Sequence, residues 1–459
     1  MNKRDLLEHL SELEDEIISY ASNLWESPEV AGMEQGSAAL SGQVLARHGF
    51  TIREVPGMDN AMIAEFGQGA PVIALLGEYD ALPGLSQTVC AHKAPVEAGK
   101  PGHGCGHNLL GGAALGAALA LKEYLIQHGL PGTVRFYGCP EEESLSGKVK
   151  MLKAGVFSDC DVALSWHPLT RNEPQREAFL ANNSIKFRFH GRTAHAALSP
   201  TEGRSALDAV ELMNVGANYL REHIPDSARM HYTITETGGA PNIIPDLAES
   251  WYYVRAPRRR DVEEITARLT RVAEGAAMMT ETTVETEFVC GTYELLPNQV
   301  LFDLTRENMK ETPLPVYTDD ELEFARDLYR SLPGREEAAG AEGWEDTVLS
   351  RTLTEPDPYQ PMSLYGSSEV GDVSWNIPAS LFVTATWPVG TPPHTWQATA
   401  ASGSNLGYKA MMYAAGVMSG IGYDILNDPS LAEKAKEELK ERTKDKPYVN
   451  TLDNLELEK

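Results

Sequence analysis

Val72-Ile73-Ala74-Leu75-Leu76-Gly77-Glu78-Tyr79-Asp80 sets five apolar residues in a row, then a glycine and two carboxylates. A short run that is apolar on both faces of its pleat is a strand covered on both sides, the pattern of a parallel sheet between helices. Comparable runs at 61–66, 133–138 and 161–165 are separated by helical patterns. As far as residue 180 the chain therefore reads as α/β with a mainly parallel sheet. The clearest helix begins at Asn108, its predicted N-cap, and ends at His128-Gly129; Gly111, Gly112, Ala113 and Ala114 would let it approach the sheet closely.

From Ser184 the periodicity changes to strand (185–189), helix (204–221), strand (229–237), strand (246–255), helix (261–279) and strand (283–290). That is the ferredoxin-like order β-α-β-β-α-β, set inside the α/β pattern. The expected organisation is an α/β domain in two parts, 1–183 and 296–459, with an α+β domain inserted at 184–295. Residues 331–360, rich in Gly, Glu, Pro and Asp, read as a long surface excursion. The segment after Pro429 reads as a charged helix that then frays.

At 459 residues the chain exceeds what one hydrophobic core supports. A formal charge of −27, from 66 acidic and 39 basic residues, argues against a surface that tracks phosphates, so no nucleic-acid partner is expected. Arg258-Arg259-Arg260, the one basic run, reads as a solvated turn. The apolar run 109–121 falls short of the roughly 20 residues that span a bilayer and reads as a buried helix, so no membrane partner is expected either. Residues 1–20 alternate charged and apolar positions without a signal-peptide block, so the mature chain is expected to begin at Met1. Five irregularly spaced cysteines fit reduced thiols in a cytoplasmic protein.

In open parallel sheets, ligands bind beyond the carboxyl ends of the strands. Glu78 and Asp80 follow one expected strand, Glu141-Glu142-Glu143 another, and His167 a third. Cys105 and His107 lie in Gly102-His103-Gly104-Cys105-Gly106-His107-Asn108, and His394 follows the apolar run 381–385. Thiolate, imidazole and carboxylate are the donors that hold Zn²⁺ or Mn²⁺, and a spare carboxylate is what a metal-assisted hydrolase needs to deprotonate its water. Taken singly, each piece is an ordinary turn or a solvated loop. Together, at one sheet edge, they make a candidate metal centre, although local chemistry does not separate the three glutamates.

Several long stretches carry a resemblance: 76–82, 102–111, 134–140, 203–210, 370–375 and 390–397. Through them nearly the whole chain resembles the metallopeptidase superfamily of bacterial glutamate carboxypeptidase, the aminoacylases and the plant auxin-conjugate amidohydrolases, and within it the branch of p-aminobenzoyl-glutamate hydrolases. The resemblance implies a mainly parallel-sheet metallopeptidase domain with an inserted ferredoxin-like lid and dimerisation domain. It also implies an amidohydrolase acting on a small N-acyl or N-aroyl amino acid, p-aminobenzoyl-glutamate being the leading candidate.

By the same resemblance two divalent metal ions, Zn or Mn, are expected, with Cys105 bridging and His107, Glu143, His167 and His394 as the other ligands. Glu142 would be the general base and acid, because the family motif places its two carboxylates second and third after the proline, here Pro140. Asp80 would orient a ligand histidine from behind. His195 of the inserted domain would stabilise the oxyanion in the site of a partner chain, and Asn242 and Arg255 would bind substrate, Arg255 being equally readable as a structural ion pair. A dimer through the inserted domain is implied, either a homodimer or a heterodimer with a related chain. The sequence departs from the wider superfamily at Glu78, where many members have a ligand histidine, and at Asn108, where relatives often have Asp.

Overall fold

Four strands run parallel at the centre of the main sheet, in the spatial order Gly132–Cys139, Val72–Glu78, Val162–Leu169 and Ala379–Ala385. Thr51–Val55 and Met58–Gln68 extend one side and Glu173–Pro174 the other, all joined antiparallel. The α/β reading holds, with antiparallel additions at both margins, where short local reversals such as the turn at Pro56-Gly57 suffice. The computed structural model describes residues 2–340, 344–357 and 365–456.

The helix His107–His128 packs against this sheet and is buried on nearly every side. Its glycines are spacing devices. A Cβ at Gly111 would lie 2.8 Å from the Glu78 carbonyl oxygen, at Gly112 2.3 Å from Met411 Sδ, and at Gly116 2.9 Å from Ile17 Cδ1. The helix therefore sits tightly among the strand Val72–Glu78 and the helices Glu14–Glu26 and Asn405–Asn427. It is long and apolar enough to span a membrane, which the shorter run 109–121 did not suggest, yet most of it lies in the core. Its start also differs from expectation: Gly106, at φ 79°, is the cap, and no side chain caps the helix. Asn108 is turned inward instead and donates to the carbonyls of Ala21 and Ser402 at 3.3 and 3.0 Å. A left-handed residue ends the loop, and glycine takes that conformation at little cost.

By compactness the chain divides into two units: Met1–Glu177, Leu296–Ser363 and Val373–Tyr448 in one, Ala178–Leu295, Leu364–Asp372 and Val449–Lys459 in the other. The second has the strands Ala181–His190, Arg229–Glu236, Leu247–Ala256 and Thr283–Thr292 in one antiparallel sheet. The helices Ala206–Leu220 and Arg259–Thr280 cover one face of it. Alternation explains why: Ile185, Phe187 and Phe189 point to the helices and are buried with Val210, Ile265 and Leu269.

Two expectations are corrected within these units. The end of the chain does not fray throughout: Thr451–Glu456 is a short 3₁₀ helix, and Thr451 is buried with its hydroxyl donating to the Gly291 carbonyl at 2.7 Å. Arg259 is not solvated. Its guanidinium donates to Asn183 Oδ1 at 2.7 Å and to the Asn182 carbonyl at 3.1 Å, pairs with Glu263 at 3.1 Å and lies over the Tyr293 ring. A basic run at a helix start has no pattern that marks one member as buried. The excursion 331–360 lies partly outside the described residues. Within it Val348 and Leu349 are buried against Ala325, Tyr329 and Leu332, an anchor too short to show as periodicity.

Arg259→Ala removes a buried charge from four partners and should destabilise the second unit by about 3 kcal/mol. Urea unfolding followed by tryptophan fluorescence and circular dichroism checks this; a loss under about 0.5 kcal/mol, the level of an ordinary surface change, would show that the contacts are incidental.

Candidate metal centre

Register brings the donors to one edge. Glu78 pairs with Cys139 at the ends of neighbouring parallel strands, and His167 pairs with Val383, so the loops that follow leave the sheet on the same side. The loop 82–106 returns to that edge through paired backbone bonds between Leu82 and Gly102. Close approach depends on glycine: a Cβ at Gly102 would lie 2.1 Å from the Leu85 carbonyl oxygen, and one at Gly106 2.9 Å from Pro168 Cγ. The second contact lets the Cys105 loop meet the strand end that carries His167. His394, left-handed at φ 62°, is tied to the same loop by its N–H on the Gly104 carbonyl at 2.9 Å.

The donor atoms then meet. Cys105 Sγ lies 3.5 Å from His167 Nε2, and His394 Nε2 lies 3.4 Å from Glu143 Oε2. His107 Nε2 lies 3.4 Å from Glu78 Oε2 and 3.7 Å from Glu142 Oε2. Three overlapping groups could each hold an ion: Cys105, His107 and His167; Cys105, Glu143 and His394; Glu78, His107 and Glu142. Asp80 stands behind them. Its Oδ1 accepts from His107 Nδ1 at 2.8 Å and its Oδ2 from the Glu143 N–H at 2.8 Å. The imidazole is thereby held with Nε2 facing the other donors.

Electrostatics supports a cation here. Glu78 Oε2, His107 Nε2 and Glu143 Oε1 are buried without a hydrogen-bond partner, an arrangement that costs free energy unless something fills it. Burial pushes the Cys105 thiol well up, with Glu143 adding to the effect. Burial likewise raises the Glu143 carboxyl to about 7. Burial and His107 push His167 down to about 4. For His107, burial is outweighed by Cys105 and Asp80, which pull it well above the ordinary imidazole value. For Asp80, burial is outweighed by His107, the Glu143 N–H and Lys148, which hold its carboxyl low. Asp80 stands on one side of the His107 ring, and a divalent ion at the facing donors would convert the Cys105 thiol to thiolate. The donors therefore fit divalent cations.

The acidic triplet separates by geometry. Glu141, at φ 60°, turns away: its carboxylate accepts from Asn60 at 3.1 Å and Ser146 at 2.6 Å and pairs with Lys150. Its N–H is held by Glu34 Oε1 at 2.7 Å, a buried carboxyl whose burial raises it to about 7. Glu142 and Glu143 are left facing the donors. Sequence reasoning missed Glu34, which sits far upstream without a motif. It also missed Lys148, whose Nζ lies 2.7 Å from Glu78 Oε1 with both side chains buried, a pairing across the fold with no local signal in the sequence.

His195, Asn242 and Arg255 lie on the second unit. There the His195 and Asn242 segments come together, with Ala196 N–H on the Asn242 carbonyl and Ile244 N–H on the Ala194 carbonyl, both at 2.9 Å. His195 Nδ1 accepts from the N–H groups of Ala197 and Leu198 at 3.2 Å each, which leaves Nε2 to carry a proton on an exposed ring. Asn242 is exposed. Arg255 donates to Ser367 Oγ at 3.1 Å and lies over the Tyr253 ring.

Residues 74–350 match the pattern of peptidase family M20/M25/M40. The chain is 43% identical over 450 residues to one of the two named subunits of the p-aminobenzoyl-glutamate hydrolase of Escherichia coli (strain K12), covering 93% of this chain and 92% of that one. It is 27% identical to the Xaa-Arg dipeptidase of Mus musculus, covering 98% and 94%. Among solved structures, the YXEP protein of Bacillus subtilis, described as a dinuclear metal binding peptidase from the M20 family, shares the fold with a TM-score of 0.61 at 19% identity, covering 91% of this chain and 99% of that one.

Cys105→Ala should weaken the uptake of at least one divalent ion by tenfold or more. Equilibrium dialysis with elemental analysis reads this, and an unchanged ion content would make the thiol a plain core residue.

Proposed function

The chain belongs to peptidase family M20/M25/M40, and from that premise we propose that it hydrolyses the amide bond of an N-aroyl or N-acyl amino acid, p-aminobenzoyl-glutamate first among them. The observation that carries this reading is the convergence of buried donor atoms without hydrogen-bond partners at the sheet edge. Cys105, His107, Glu143, His167 and His394 would hold two divalent ions. Thiolate favours Zn²⁺ by softness, while the carboxylates accept Mn²⁺. When bound, such ions polarise the scissile carbonyl and lower the pKa of water.

The chain's own groups supply the rest. Glu142, nearly buried and 3.7 Å from His107 Nε2, is placed to take a proton from water and return it to the departing nitrogen. Asp80 fixes the ring of His107 through the bond to Nδ1. His195, with its proton on the outward Nε2, suits donation to a developing oxyanion. Asn242 and Arg255 would hold the substrate. In this reading the 184–295 domain acts as lid and dimer contact, and its exposed histidine serves the site of a partner chain.

The aroyl-glutamate substrate rests on the likeness to the Escherichia coli hydrolase chain across most of both sequences. A second reading, hydrolysis of a dipeptide with a basic residue, rests on the full-length likeness to the Xaa-Arg dipeptidase. Because the bacterial relative is named as one of two subunits, the assembly is either a homodimer or a heterodimer with a related chain. A cytoplasmic setting would keep the five free cysteines reduced.

Glu142→Ala should lower kcat by about 10³-fold or more, toward the upper range for a lost acid–base group, while the metal content stays at the parent value. Turnover at the parent rate would remove Glu142 from the mechanism. The purified chain, assayed on acylated glutamates, aromatic conjugates and Xaa-Arg dipeptides, should prefer p-aminobenzoyl-glutamate. Preference for an Xaa-Arg substrate would favour the second reading, and a well-folded, metal-free, inactive chain that binds a related chain would make it a companion.

A further inference from the structure

Glu78 stands outside the five ligands proposed above, yet its position resembles theirs. It ends the strand Val72–Glu78, is 1% exposed, and offers two oxygens to two different neighbours. Oε1 is 2.7 Å from Lys148 Nζ, a good charge-assisted hydrogen bond between two fully enclosed side chains. Oε2 is 3.4 Å from His107 Nε2, too far for a normal N–H···O bond, and neither atom has another hydrogen-bond partner. Since Asp80 occupies Nδ1 of the same ring at 2.8 Å, Nε2 is the atom left to bind a cation. Glu78 Oε2, His107 Nε2 and a Glu142 oxygen together form one of the three groups able to surround an ion.

Lys148 is placed with care. A Cβ at Gly147 would lie 1.7 Å from the Pro140 carbonyl oxygen, so the helix Gly147–Lys153 starts against the acidic loop only because that residue is glycine. The next side chain, Lys148, then enters the pocket and holds one oxygen of Glu78. A carboxylate pinned through one oxygen cannot rotate freely, and its other oxygen stays directed at His107. We propose that Glu78 is a further metal ligand, giving Oε2 to the cation held by His107, and that Lys148 is the positioning residue that fixes it. This rests on the metal reading above and deepens it: the added oxygen donor makes that site harder and shifts its preference toward Mn²⁺ over Zn²⁺.

The test is calorimetric titration of the metal-stripped full chain with MnCl₂ and, separately, ZnCl₂. Glu78→Gln should weaken one Mn²⁺ site by tenfold or more, lower the Mn²⁺/Zn²⁺ affinity ratio of that site, and leave the other site as in the parent. Because Glu78→Gln strands the Lys148 charge, the double variant Glu78→Gln/Lys148→Met serves as its neutral counterpart, with folding checked by circular dichroism. If Lys148 acts only through Glu78, the double variant should show the same weakened site as the single one. Unchanged Mn²⁺ affinity and an unchanged Mn²⁺/Zn²⁺ ratio in both variants would overturn the proposal while leaving the five-ligand reading intact. A parent chain that takes up neither ion would overturn both.

Discussion

The structure is organised around an unmet electrostatic demand. At one edge of the main sheet, carboxylate, imidazole and thiol groups are gathered in a pocket whose donors are mostly buried, and several of their atoms face one another without hydrogen bonds. In a low-dielectric setting such unpaired groups are costly. Elsewhere in the same pocket the polar groups are well matched: Asp80 serves both His107 and the Glu143 N–H, and Lys148 serves Glu78. Orphaned atoms beside fully served ones point to a missing positive charge rather than to poor packing.

That arrangement constrains the rest of the domain. Donors on four separate strand ends and loops can converge only if the strands are parallel and in register, which the central four are. The loop that carries Cys105 must also fold tightly and approach the strands, so Gly102 stands where a side chain would strike Leu85 of the same loop and Gly106 where one would strike Pro168 beside His167. The buried helix His107–His128 carries one donor at its first residue; Gly111 seats it against the strand that carries Glu78, and Gly112 and Gly116 seat it against the neighbouring helices. Packing of the core and placement of the donors are thus one problem, with the same residues solving both.

Much of this was legible in the sequence because it depends on period and position. The apolar run at 72–76 marked the buried strand, and the rule that ligands gather beyond strand ends grouped Asp80, Cys105, His107, the Glu triplet, His167 and His394. The second unit's order of strands and helices followed from its alternation. What stayed hidden depends on three-dimensional neighbours. Nothing local distinguishes Arg259, enclosed among Asn183, Glu263 and Tyr293, from Arg258 beside it. Asn108 looks like a helix cap until Gly106 takes that place in a left-handed turn. The roles of Glu34 and Lys148 arise from contacts across 107 and 70 residues of chain, to Glu141 and Glu78 respectively, and no periodicity encodes such pairs. The inequality of the three glutamates likewise comes from backbone direction, with Glu141 left-handed and tied down by Asn60 and Lys150.

The central claim is that these donors exist to hold divalent cations. Anomalous diffraction from crystals of the chain grown with Mn²⁺, recorded at an energy that enhances the manganese signal, tests it most directly. The account predicts two peaks at the sheet edge, each within about 2.0–2.4 Å of its ligand atoms, with the Cys105 sulfur touching both. Absence of anomalous density between Cys105, His107, Glu143, His167 and His394, in crystals whose fold is otherwise as described, would contradict it.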